Sequence, residues 1–145
     1  MSDKIDYVLE LNQIRETLGY DFLSLALAYD GVLRWRYASG NINEGYKRIV
    51  LHSGRGIAEV FRTGRSILIP SFDEYLQPGE LFNYPISRME NLKSIGVVPV
   101  WNDLRVAGVL LGGFRGKERV TPEMLYALEQ VSNKGIGEFN GKNLV

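Results

Sequence analysis

Residues 3–18 carry apolar positions at helical spacing in two stripes. Ile5, Val8 and Leu9 form one, and Tyr7, Leu11, Ile14 and Leu18 form the other. Two stripes fit either a broad core face or a helix with one face on its own domain and one on a partner. Gly19 is placed to stop the helix. The period then falls to two. In Phe22–Tyr29, Leu23, Leu25 and Leu27 share one side, while Ser24, Ala26 and Ala28 share the other. That small-residue side predicts a close approach by something else. Asp30-Gly31 is a hairpin turn signal, and the return strand 32–38 puts Leu33, Trp35 and Tyr37 on one face with Arg34 and Arg36 opposite.

Residues 40–45 read as a loop and 46–51 as a third strand. A short helix is predicted over 56–63, closed by Gly64, and then a strand over 65–70 ending at Pro70. Residues 71–85 hold turn formers without periodicity and read as a long loop, a kind of segment that is often functional. A second short helix is predicted over 86–93, opening after Tyr84-Pro85. A strand over 95–101, a turn at Asn102-Asp103 and a last strand over 105–114 follow. The run Val106-Ala107-Gly108-Val109-Leu110-Leu111 is almost continuously apolar, as a strand buried on both faces should be. Thr121-Pro122-Glu123 opens a final helix, with an N-cap threonine, a first-position proline and an acid in the first turn. Leu125, Leu128, Val131, Ser132, Gly135 and Phe139 continue it at helical spacing. Two hairpins imply a mostly antiparallel sheet. The terminal helices are expected on one face and the short helices and loops on the other, an α+β sandwich in a single domain over residues 1–145.

Composition removes several chemistries. The 145 residues include no cysteine, so disulfides, thiolate nucleophiles, thiolate zinc sites and thiol-linked chromophores are excluded. The single histidine, His52, cannot build a histidine-rich metal site. Seventeen basic and 17 acidic residues balance, which leaves no electrostatic footprint for nucleic acid or an anionic membrane. The polar N-terminus and the lack of a long apolar run argue for a cytoplasmic chain.

The segment from Gly54 to Pro70, Gly-Arg-Gly-Ile-Ala-Glu-Val-Phe-Arg-Thr-Gly-Arg-Ser-Ile-Leu-Ile-Pro, resembles the central signature of GAF domains. Gly96-Val97-Val98-Pro99-Val100 and Arg105–Leu110 resemble the closing hairpin of that family. The resemblance spans almost the whole chain and implies the GAF (PAS-like) fold. A narrower resemblance, to the stand-alone nitrate receptors within this family, rests on Leu33-Arg34-Trp35-Arg36-Tyr37, Gly56-Ile57-Ala58 and Asn83-Tyr84-Pro85-Ile86. It implies a small apolar pocket in which main-chain amides at helix starts hold nitrate beside a tryptophan and a tyrosine. The matching positions here are Trp35, Leu51, Gly56, Ile57, Ala58, Tyr84, Pro85 and Ile86. It also implies a partner, a sensor histidine kinase whose phosphorylation is restrained without nitrate and released with it. No cofactor, metal or catalytic residue is implied.

Physical chemistry supports an anion pocket at these positions. First-turn N–H groups have no partner within their helix and carry partial positive charge. Gly56, lacking a side chain, would let a ligand reach the backbone at Ile57 and Ala58. Trp35 offers a flat wall and an indole N–H, and Tyr84 a hydroxyl. Taken singly, each feature has a plainer reading: tryptophan as core, glycine as turn former. Their combination in the family's order favours the site. Arg34 and Arg36 fall on the face opposite Trp35 and read as a solvated or interface face. His52 reads as structural, and Glu59 and Asp73 are acids without a second group to work with. Some stand-alone GAF domains reduce free methionine sulfoxide, but with thiols that this chain lacks. The alternatives kept open are a GAF domain for another monovalent anion or a neutral metabolite, and a dimerisation module. The second stripe of the first helix, with Ser132 and Gly135, would allow a homodimer.

Overall fold

A computed structural model describes residues 6–51 and 56–142. Helix α1 (Tyr7–Leu18) starts where the Asp6 carboxylate accepts the Leu9 N–H at 3.0 Å, and it ends at Gly19. Tyr7 and Leu11 are buried and Ile14 and Leu18 half-buried, whereas Val8 and Leu9 are 45% and 53% exposed. The two stripes therefore divide between core and solvent. Residues 3–5 of the expected helix, Ile5 among them, lie outside the described residues, as do His52, Ser53, Gly54 and Arg55 of the glycine-led segment.

Strands β1 (Phe22–Tyr29) and β2 (Val32–Ser39) pair antiparallel across Asp30 and Gly31, both at positive φ. The register slips between Leu25 and Ala26: Leu25 faces Tyr37 and Ala26 faces Trp35, leaving Arg36 as the extra residue of a bulge. This corrects the expected alternation. Leu33 and Trp35 point to one side of the sheet, while Tyr37 points to the other and stacks on Tyr7 with ring centroids 4.5 Å apart.

The third strand is also shorter than expected. Residues Gly45–Arg48 form a 3-10 turn, and β3 spans only Val50–Leu51. Local polar contacts outcompete the ladder there: the Asn43 side chain accepts the Gly45 N–H at 2.7 Å, and Lys47 pairs with Glu44 at 2.8 Å. Next come α2 (Ala58–Thr63), β4 (Ile67–Ile69), α3 (Phe72–Tyr75), a 3-10 turn Glu80–Asn83 and α4 (Pro85–Met89). The long loop expected over 71–85 thus contains a helix and a turn. The second short helix stops at Met89 because Asn91 takes a positive φ and the Leu92 N–H folds back to the Ser87 carbonyl. Strands β5 (Ser94–Asp103) and β6 (Arg105–Phe114) form the closing hairpin, and α5 (Pro122–Lys134) and β7 (Gly141–Lys142) complete the chain.

The final helix ends at Lys134, short of the expected Phe139. Gly135 takes φ +110° and redirects the chain, and Phe139 instead pairs with Ile136. Ser132 is fully buried and donates to the Pro99 carbonyl, so it faces the sheet and not a second subunit. Gly135 likewise packs on the backbone of Phe139 and Asn140.

The sheet runs β3-β2-β1-β6-β5-β4, antiparallel throughout, with β7 added parallel to β5. In central β6, Val109, Leu110 and Leu111 are all at 0% exposure and alternate between two cores. One core holds Leu23, Leu25, Leu27 and Leu110 against Tyr7 and Leu11 of α1 and Leu128 of α5. The other holds Phe22, Ala26, Trp35, Val97 and Leu111 against Ile57, Val60, Phe72 and Ile86. The predicted two-faced α+β arrangement is observed. Among the described residues, no helix is long and apolar enough to cross a membrane.

Truncating Leu128, at 0% exposure, removes packing from the helix-covered core alone. Leu128→Ala is expected to cost about 2–5 kcal/mol, read as a lowered urea midpoint at unchanged slope. A midpoint like that of the wild type would mean that α5 contributes little to the core.

Candidate functional site

The short-helix face is where the sequence-selected residues meet. Trp35 comes from β2, held by its N–H to the Ile49 carbonyl at 3.3 Å, and is 1% exposed. Ile57 enters from the turn before α2 and Ile86 from α4, at 3% and 0% exposure. All three belong to one buried cluster, with Leu51 and Tyr84 packed against it. Leu51 sits opposite Leu33 in the β2–β3 pair. Ala58, the first residue of α2, is buried. Pro85 is exposed. Its place is the first position of α4, where a missing N–H leaves no helix bond unmade.

Gly56 explains why the two helix starts lie together. It has φ +66°, a left-handed conformation natural to glycine, and a methyl group there would lie 2.5 Å from the Asn83 carbonyl oxygen. The entrance to α2 thus rests on the last residue of the 3-10 turn, one residue before Tyr84. Tyr84 packs edge-on against Phe72 at 5.4 Å. Burial, helped by the Glu80 and Glu59 carboxylates, holds its hydroxyl above the ordinary tyrosine value, so it stays a proton donor at neutral pH. The helices are six and five residues long. Each start therefore offers individual first-turn amides and not the field of a long helix.

Arg34 and Arg36 lie away from this cluster. The Arg36 guanidinium lies over the Tyr29 ring at 4.7 Å, on the side of the sheet facing the terminal helices, and Arg34 is exposed. Asp73 is exposed in the first turn of α3, capped by Ser71 and not by Asp73 itself. Glu59 faces Arg62 across one helical turn at 4.0 Å.

Several residues of this face were missed by the sequence reading. Phe72 belongs to α3, whose start was legible as Ser71 three residues before Glu74, a capping pattern. Tyr46 and Leu92 also line the cluster. Ser87 on α4 and Glu90 just past its end are buried at 1% and 0% exposure, and no local pattern marks them.

A family model described as GAF domain matches residues 9–134. No curated protein sequence gives a significant match. Among solved structures, a hypothetical protein from S. aureus is 36% identical, covering 78% of this chain and 95% of its own, with a TM-score of 0.73. Two structures of Staphylococcus aureus NreA protein mutated in its nitrate-binding site are 35% and 32% identical. They cover 79% and 86% of this chain, and 87% and 96% of their own, at TM-scores of 0.74 and 0.76.

The contact at Gly56 generates a prediction. Gly56→Ala adds a methyl group against Asn83 and forces alanine into a left-handed conformation, at a cost of about 1–3 kcal/mol. Thermal or urea unfolding should register the loss. An unchanged stability would mean that the two helix starts do not depend on this contact.

Proposed function

The chain belongs to the GAF-domain family, and from that premise we propose that it is a nitrate receptor which binds the anion and does no chemistry on it. The observation that carries the proposal is the convergence of Trp35, Ile57, Tyr84 and Ile86 on one buried face, with Gly56 seating the start of α2 beside the residue that precedes Tyr84. Similarity to proteins described as having a nitrate-binding site supports the choice of ligand.

In this reading nitrate lies against the Trp35 ring and takes hydrogen bonds from the main-chain amides of Ile57, Ala58 and Ile86. Leu51, Gly56 and Pro85 shape the pocket and its rim, and the Tyr84 hydroxyl is a further donor. Burying an anion is costly unless donors replace its water. Nitrate is monovalent, planar and weakly hydrated, so neutral donors between apolar walls suit it better than they suit sulfate or phosphate. Residues 1–145 act as one sensory unit in the cytoplasm and report occupancy to a sensor histidine kinase. The ligand shifts that partner only by its differential affinity for two states of the receptor. The exposed stripe of α1, Val8 and Leu9, is the face we assign to a second copy in a homodimer.

Titration calorimetry with sodium nitrate is expected to give saturable one-site binding, with sulfate giving none, and nitrate should raise the melting temperature. Absence of both signals would move the assignment to a neutral ligand or a dimerisation module. Trp35→Phe, which keeps a ring but loses the indole N–H, and the more disruptive Trp35→Ala are expected to weaken binding about tenfold or more. Arg36→Ala, on the opposite face, should stay within about twofold of wild type. Wild-type binding by both tryptophan variants would put the pocket elsewhere.

A further inference from the structure

Among the described residues, Glu90 is the one ionisable side chain that is fully buried, and nothing in the anion-site reading uses it. It lies one residue past α4, whose five residues make little more than a single turn. A helix this short does not hold its own geometry in water and depends on what it is tied to. Its apolar anchor is Ile86. Pro85, Arg88 and Met89 are exposed, so the buried side of the segment consists of Ile86, Ser87 and Glu90.

Glu90 supplies the missing ties. Its Oε1 accepts the Ile42 N–H at 2.9 Å and Arg115 Nη2 at 2.5 Å. Arg115 Nε donates to the Glu90 carbonyl at 2.8 Å, so one guanidinium grips both the side chain and the backbone of the same residue. Arg115 is in turn fixed at the end of β6. Its N–H donates to Asp21 Oδ2 at 2.8 Å and its Nη1 to the Asp21 carbonyl at 3.4 Å, just before β1. One carboxylate thereby joins α4 to the loop after β2, to the end of β6 and to the approach to β1. Ile86 and Glu90 are four residues apart and share a helix face. Fixing the rotation at Glu90 therefore fixes the direction in which Ile86 and its amide point.

We propose that Glu90, clamped by Arg115 and the Ile42 N–H, is a positioning residue for the anion site, setting the angle at which Tyr84–Ile86 meet Trp35. The proposal rests on the nitrate-receptor reading. It assigns no contact between Glu90 and the ligand. Its second oxygen, Oε2, has no hydrogen-bond partner among the described residues, and neither does Ser87 Oγ, three residues earlier. A glutamine at position 90 keeps the Oε1 acceptor for both donors and turns its amide toward this unfilled side.

The test pairs hydrogen–deuterium exchange over residues 84–92 with nitrate calorimetry on the full chain. Glu90→Ala is expected to raise exchange in that segment about tenfold and to weaken nitrate binding by a similar factor. Glu90→Gln should hold both within about threefold. Leu128→Ala lowers stability from the other side of the sheet and should leave both unchanged, which separates positioning from a general loss of stability. Should Glu90→Ala fail to fold, Arg115→Lys, which removes the forked grip but keeps the charge, is expected to give the same paired loss. Unchanged exchange in the variants overturns the clamp, and raised exchange with wild-type affinity overturns its role at the site. Raised exchange in a protein whose wild type ignores nitrate would identify the receptor reading as the failure and leave Glu90 as a fold clamp only.

Discussion

Over Phe22–Leu27, Ser94–Val100 and Gly108–Phe114, strands β1, β5 and β6 are buried on both faces, and that constraint organises everything around them. A sheet buried on both sides needs two covers, each with its own apolar set. The covers differ in kind. On one side, α1 and α5 are long enough to span the strands and present leucines and tyrosines along their length. On the other, three helices of four to six residues and the segments between them do the same work piecemeal. A long helix hides its backbone polar groups in its own ladder. A cover assembled from short pieces brings several helix starts to the interior, and each has N–H groups that need a partner. The second face is therefore where a small polar guest can be accommodated among apolar walls.

The fold was largely legible in the sequence because its strongest signals are local. Asp30-Gly31, the continuous apolar run of β6 and the Thr121-Pro122-Glu123 start all act within a few residues, and each is found where expected. Failures came where a local contact competes with a pattern. Residues 46–51 carry strand-like side chains, but Asn43, Glu44 and Lys47 tie the chain into a turn first. Tyr37 fell on the predicted face by counting in twos, and one unpaired residue in β2 was enough to invert it.

The candidate site was legible in a different way. Trp35, Ile57 and Ile86 are 22 to 51 residues apart, and no periodicity connects them; family resemblance selected them, and the structure gathers them in one cluster. Glu90 carried no such mark. Its partners are Ile42 and Arg115, neither close in sequence, and a glutamate near the end of a short helix looks like any solvated acid. A buried ion pair made across the fold leaves no trace in a single sequence, because its meaning lies in desolvation, which depends on every surrounding element.

The bulge at Arg36 gives β2 two independent halves. Before it, Leu33 and Trp35 belong to the short-helix face; after it, Tyr37 belongs to the face of α1, against Tyr7. A regular strand would link these sides rigidly, residue by residue, so that any shift along it moved both cores in step. With one residue left out of the ladder, the joint can absorb a small rotation. A substitution at Leu33 on the short-helix side can then be absorbed while the helix packing beyond the bulge stays as it is.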